Sequence, residues 1–182
     1  VDQIDLFMLH SRDEQVPIDE VLDALNREVS ASRVAVIGCS NFTGAQLREA
    51  LDVSRSHGFA RFEAIQNIYN MVHPEAEEDV FPVCCGHEVS FLAYSPLGAG
   101  FLTGKYTRDR SKLPAGTRFD VIPGHCDAYF SDDGFRVVEH LHARSKQLGL
   151  SMAYLAGAWV TRSPQVSCTL FGARTCKHID NG

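Results

Sequence analysis

The chain lacks the marks of several common protein classes. It has no CxxC pair, no GxGxxG after a strand-like run and no dense cluster of Lys and Arg. No apolar run approaches the roughly 20 residues that a membrane helix needs. The missing CxxC removes the usual zinc-knuckle pattern. The missing GxGxxG counts against a Rossmann fold. A formal net charge of -6 without a basic cluster leaves no electrostatic footprint for nucleic acid. No signal peptide opens the chain. The expectation is a soluble, cytoplasmic protein with neither a nucleic-acid nor a membrane partner.

What is present points to a folded domain. The 182 residues are 45% hydrophobic, which argues against disorder. That length suffices for one core, or for one large domain cut short. Of six cysteines, Cys84 and Cys85 are adjacent, which suits no common disulfide framework. Cys39 and Cys168 lie in strand-like runs, where cysteine behaves as a small hydrophobe. Free thiols are expected. The run Cys84-Cys85-Gly86-His87 spans a helix end with no partner motif, and His140 and His142 point to different helix faces. No metal site is assigned.

Hydrophobic spacing predicts alternating strands and helices. Residues 4–9 read as a strand. Pro17 then stands at N1 of a helix whose apolar face is Ile18, Val21, Leu22, Leu25 and Val29. A second strand covers 34–37 and stops at Gly38. Thr43 and Gln46 form a capping-box pattern before a helix with Leu47, Ala50 and Leu51 inward and Gly58 at its end. Further strands are expected at 62–66, 89–94 and 166–171. Between them a helix is expected from Pro74, with Gly86 as its stop. The stretch 96–133 reads as one long loop containing at most a short helical turn. Its basic residues at 105, 108, 110 and 112 read as a solvated stretch, Lys105 excepted. Phe135, Val138, Leu141 and Leu148 mark the next helix. Ser151 caps another, with Met152, Leu155, Ala156 and Trp159 on one face.

The first four strands recur about every 27–29 residues, the length of a βα unit, and this implies a parallel sheet. A (β/α)8 barrel is the favoured architecture, although five strands cannot close one of normal size. Residues 1–182 are therefore expected to be a partial barrel domain, running from about strand 4 to strand 8. The first three βα units and the C-terminal end are expected to be absent from it.

In such barrels chemistry sits at the C-terminal strand ends. Those positions read His10, then Ser40 and Asn41, Gln66 and Asn67, Tyr94 and Ser95, and Gly172, Ala173 and Arg174. All five groups are polar or glycine-bearing. His10 either hydrogen-bonds or protonates a substrate carbonyl, or satisfies a loop carbonyl. Ser40, Asn41 and Gln66 suit a carboxamide such as that of nicotinamide, or simply build turns. Tyr94 offers a flat face to an aromatic ring, or is a core tyrosine with a wet hydroxyl. Ser95, Pro96, Leu97 and Gly98 form a small-residue turn, which cradles a phosphate or merely reverses the chain. Gly172 and Arg174 open a presumed helix, an anion site or an ordinary turn.

The segments IDLFMLH (4–10), VAVIGCSNF (34–42), FEAIQNIYN (62–70), FLAYSPLGAGFLTGKY (91–106) and LFGART (170–175) together resemble the aldo-keto reductases. The YSPL…GFLTGKY form is most similar to bacterial reductases related to potassium-channel β-subunits. The resemblance implies NADP(H)-dependent reduction of a carbonyl, with NAD(H) the alternative. It matches His10 to the carbonyl-orienting histidine. It matches Ser40, Asn41 and Gln66 to carboxamide binding, and Tyr94 to stacking on the nicotinamide. Ser95, Pro96, Leu97 and Gly98 match the pyrophosphate loop, and Lys105 a basic position beyond it. Gly172 and Arg174 match the 2′-phosphate site. The family's catalytic Asp, Tyr and Lys belong to earlier strands, and no residue here is promoted to replace them. Past Arg174 the family often has Gln, Glu and Asn, where this chain has His178, Asn181 and Gly182. The expected function is reduction of a small aldehyde or ketone, the chain being a fragment inactive on its own. The alternatives are an NADP(H)-binding regulatory subunit of the channel-β type, or an inactive truncated product. Substrate identity and oligomeric state are left open.

Overall fold

The computed structural model describes residues 2–173 and 175–180. β1 (Ile4–Leu9), β2 (Val34–Ser40), β3 (Phe62–Ile68), β4 (Ser90–Tyr94) and β5 (Val166–Thr169) form one parallel sheet in sequence order. α1 (Ile18–Ser30), α2 (Gly44–His57), α3 (Phe81–His87), α4 (Arg118–Val121), α5 (Asp132–Leu148) and α6 (Met152–Thr161) connect the strands, and α7 (Cys176–Asp180) follows β5. This order and alternation is that of a partial (β/α)8 barrel. No helix among the described residues is long and apolar enough to cross a membrane.

Contacts divide the chain into two compact units. The first holds the chain through Ile68 with Glu75–Leu92 and Gln165–Cys168. In it β1 pairs with β2 from Ile4↔Val34 to Leu9↔Cys39, and β2 with β3 as far as Ser40↔Gln66. Leu22, Ile37, Cys39, Leu47, Phe62, Ile65 and Phe91 are almost wholly buried here. β1 differs: Ile4 and Phe7 are 46% and 42% exposed. α2 has the expected capping box between Thr43 and Gln46, and Gly58 ends it at φ 67°.

Several boundaries depart from expectation. Pro17 is the N-cap of α1, not N1, because its ψ of 140° is extended. β2 runs on to Ser40 instead of stopping at Gly38, since Gly38 packs against the β3 backbone. The helix expected from Pro74 is a short 3₁₀ turn, Glu75–Glu77, followed separately by α3. Gly86 does not stop α3. Glu88 does, in the left-handed region at φ 55°. β5 ends at Thr169, short of Phe171, and its Cys168 is exposed instead of packed. All six cysteines are free.

The second unit holds Tyr69–Pro74, Ala93–Pro164 and the chain from Thr169 onward. Here the expected long loop is a chain of short helical pieces: 3₁₀ turns at Gly98–Thr103, Arg110–Lys112 and Pro123–Ala128, with α4 among them. An aromatic cluster organises them. Phe101, Tyr106, Phe119, Tyr129, Phe130 and Phe135 stand with ring centroids 4.5 to 6.5 Å apart. Such ring pairs add to plain burial. Arg108 and Arg110 are not simply solvated. Arg108 bonds Asp132 at 2.6 Å and lies over Phe135, and Arg110 bonds Asp127 at 2.6 Å and lies over Phe130. On α6 Ala156 of the expected face is buried together with Gly157 and Val160, and Trp159 lies against Tyr69 with ring centroids 4.9 Å apart. Leu148 at the end of α5 is exposed.

Candidate functional site

In the first unit, three strand ends are stitched together by short polar bonds. β1 delivers His10 to the surface, and its carbonyl accepts a hydrogen bond from Asn41 Nδ2 at 2.9 Å. Asn41 sits at φ 59°, a left-handed conformation that asparagine tolerates better than most residues. Its N–H donates to the Gln66 carbonyl at 3.1 Å and to Asn67 Oδ1 at 2.7 Å. Ser40 is 2% exposed, and its hydroxyl donates to that same Gln66 carbonyl at 2.6 Å. Asn67 Nδ2 closes the network on the Phe42 carbonyl at 2.8 Å. Gly38 permits the close approach of β2 and β3: a Cβ there would stand 2.7 Å from the Ala64 oxygen. Arg12 forks onto Glu49 at 3.0 and 3.4 Å, anchoring the loop after His10 to α2.

His10, Ser40, Asn41 and Gln66 are thus brought together at one end of the sheet. The Ser40 hydroxyl faces inward to the backbone, while His10 and Asn41 are exposed and Gln66 is half-buried. Sequence reasoning named Asn67 as a strand-end residue but did not give it the clamping role it has. Its signal was a second amide beside Gln66.

In the second unit, Tyr94 ends β4. Burial raises its hydroxyl above the usual tyrosine value, so the phenol is neutral near pH 7. The turn after it is unusual: Ser95, Gly98, Ala99 and Gly100 take φ of 54°, 56°, 54° and 89°. For Ser95 and Ala99 this conformation costs on the order of 1 kcal/mol each. Gly98 and Gly100 donate their N–H groups inside the turn, to the Ser95 and Leu97 carbonyls at 2.9 and 3.0 Å. Lys105 lies across the turn. A Cβ on Gly100 would stand 2.6 Å from Lys105 Nζ. The two N–H groups are engaged inside the turn, and the Lys105 ammonium supplies a charge suited to a phosphate. Asn70 is fully buried and donates to the Ser95 carbonyl at 3.0 Å. No motif pointed to Asn70, which lies at the end of the quoted segment FEAIQNIYN. Gly172 is exposed, and Arg174 lies outside the described residues. No group of His, Cys, Asp and Glu among the described residues is arranged to hold a metal.

The sequence matches the model of the Aldo/keto reductase family over residues 1–181. An uncharacterized oxidoreductase of Bacillus subtilis is 29% identical over 98% of this chain and 52% of its own length. A putative aryl-alcohol dehydrogenase of Saccharomyces cerevisiae is 28% identical over 86% of the chain and 45% of its own. A probable voltage-gated potassium channel subunit beta of Arabidopsis thaliana is 28% identical over 95% and 53%. The chain spans about half the length of the curated relatives it matches.

Proposed function

The chain belongs to the aldo-keto reductase family, and from that premise we propose that it serves the reduction of a small aldehyde or ketone to an alcohol, with NADPH as reductant and NADH as the alternative. The family is one of oxidoreductases and generally uses a nicotinamide dinucleotide. The observation that most supports the reading is the strained turn at Ser95–Gly100 with the Lys105 ammonium across it.

When bound, the dinucleotide supplies a hydride to the carbonyl carbon. His10 donates a hydrogen bond to the carbonyl oxygen and orients it. Asn41 and Gln66 recognise the carboxamide, and Ser40 acts from behind by tying β2 to the Gln66 carbonyl. Tyr94 lays its face against the nicotinamide. Ser95, Pro96, Leu97 and Gly98 wrap the pyrophosphate, and Lys105 neutralises it. Gly172 and Arg174 read the 2′-phosphate. No residue of this chain is assigned the role of proton donor. The setting is proposed to be the cytoplasm, without nucleic-acid or membrane partners.

Titration with NADPH in the intact protein tests this. Lys105→Ala is expected to weaken NADPH about tenfold to a hundredfold, the worth of a charge-assisted bond. His10→Ala is expected to lower turnover and leave NADPH affinity nearly intact. Unchanged NADPH affinity in Lys105→Ala, or collapse of affinity with full turnover in His10→Ala, would overturn the assignments. Similarity to potassium-channel β-subunits supports a second reading, a regulatory module that binds the dinucleotide without turnover. Tight NADPH binding with no oxidation by 4-nitrobenzaldehyde or other aldehydes would favour it.

A further inference from the structure

Tyr129 lies outside the Ser95–Gly98 turn, yet three contacts tie it there. Its hydroxyl is hydrogen-bonded with the side chains of Ser95 and Asn70. Its ring covers Gly98, where an added Cβ would stand 2.8 Å from Tyr129 Cε1. The third contact runs through His73. That ring meets Tyr129 edge-on, with centroids 5.0 Å apart at 81°, and His73 Nε2 donates to the neighbouring Ala128 carbonyl at 2.9 Å. Asn70 completes the frame. Its Nδ2 donates to the Ser95 carbonyl, and its Oδ1 accepts from the N–H groups of Val72 and His73 at 2.9 and 3.1 Å.

Ser95 carries a Cβ and stands at φ 54°. Such a conformation persists only where its surroundings over-determine it. The bonds from Asn70 and Tyr129 are that over-determination. The turn closes its own bond from the Gly98 N–H to the Ser95 carbonyl, and residues from elsewhere in the chain add to it: Asn70 donates to that same carbonyl.

We propose that Tyr129 is a positioning residue that fixes the Ser95–Gly98 turn in advance, so that a dinucleotide pyrophosphate meets a preformed cradle. The inference rests on the function proposed above and adds a residue to it. A cradle formed beforehand raises affinity because ordering is not left to the moment of binding.

Two measurements on the intact protein test it. Hydrogen exchange without nucleotide reads the turn itself, and NADPH titration reads the consequence. Tyr129→Phe keeps the ring and the aromatic cluster and removes only the hydroxyl. It is expected to speed exchange at residues 95–100 and to weaken NADPH about tenfold, the worth of one hydrogen bond. Turnover per bound cofactor is expected to stay as before. Ser95→Ala removes the same bond from the other side, so the affinity losses of the pair are expected to be non-additive. Unchanged exchange and affinity in Tyr129→Phe, or additive losses in the double variant, overturn the inference. Failure of the unaltered protein to bind NADPH overturns the proposed function instead, and the exchange pattern still decides whether Tyr129 holds the turn.

Discussion

At the end of β2, Ser40 and Asn41 are held by Gln66 and Asn67, their neighbours on β3, through bonds of 2.6 to 3.1 Å. At the end of β4, Ser95 is held by Asn70 and by Tyr129, a side chain far along the connection. The first turn inherits its order from a β ladder. The second follows β4, whose last carbonyl accepts the Tyr69 N–H at 3.2 Å, and to that ladder an aromatic cluster adds one outward hydroxyl. Register alone delivers a strand-end residue to its place, whereas a long connection must be docked side chain by side chain.

The largest expected effect separates backbone from side-chain obstruction. Gly38→Ala puts a Cβ 2.7 Å from the Ala64 carbonyl oxygen. Two paired strands must then part, at about 3 kcal/mol. Gly98→Ala puts its Cβ 2.8 Å from a ring carbon of Tyr129, at φ 56°. A ring edge gives way more readily than a strand, so the cost is about 1–2 kcal/mol of conformational strain. Urea midpoints of the two variants check the order. If Gly98→Ala is as costly as Gly38→Ala, the β4 turn is as rigid as the ladder and the contrast fails.

Next in size is Asn67→Ala. It removes one of the two acceptors of the Asn41 N–H and the donor to the Phe42 carbonyl. A loss of about 2 kcal/mol is expected, since partly buried backbone groups lose a partner. Asn67→Asp keeps the acceptor and loses the donor, so its urea midpoint should fall between the two. Equal losses for Ala and Asp would mean that the Asn41 bond contributes nothing.

This contrast also explains what could be read in advance. The strand ends His10, Ser40, Asn41 and Gln66 followed from apolar runs with a βα spacing, because period and register fix them locally. The capping box at Thr43 and Gln46 was legible for the same reason. The helix expected from Pro74 is divided instead: residues 78–80 form a turn between the Glu75–Glu77 piece and α3, with Val80 as the N-cap of α3. The connection 96–133 looked structureless because its order rests on ring contacts between residues with no common period. Asn70 and Tyr129 were invisible for that reason: neither belongs to a pattern, and each matters only through its distant partner.

Two buried thiols give a kinetic version of the same contrast. Cys39 in β2 is 0% exposed, and Cys126 in the 3₁₀ turn Pro123–Ala128, between β4 and α5, is 2% exposed. Burial raises both thiols above their ordinary value, Cys39 strongly. Because the folded value is raised, the stability this contributes is complete below the unfolded thiol pKa of about 8.5 and is lost as pH rises above it. Alkylation at pH 8 therefore requires local opening. Cys126 is expected to react at least about tenfold faster than Cys39, since a ring-docked connection opens more easily than a ladder. Exposed Cys85 should outpace both. Equal rates for Cys39 and Cys126 would show that both regions open in one cooperative event.

The smallest expected effect is at Tyr106, and it asks what a hydroxyl in the aromatic cluster is worth. Among the described residues, Tyr106 Oη is the buried side-chain polar atom without a hydrogen-bond partner. Its ring is well placed, 4.5 Å from Phe119, with Lys105 Nζ 5.3 Å from its centroid. Tyr129, in the same cluster, has its hydroxyl bonded outward to Ser95 and Asn70. Removing an unpartnered buried hydroxyl relieves a desolvation cost of order 1 kcal/mol. Tyr106→Phe is therefore expected to hold or raise the melting temperature, by up to about 3 °C. Tyr129→Phe removes a bond that is made, so it should lower that temperature slightly. A fall in Tyr106→Phe matching that of Tyr129→Phe would mean that the cluster holds its loops through both hydroxyls. The docking of the connection would then not be concentrated at the one tyrosine that reaches Ser95.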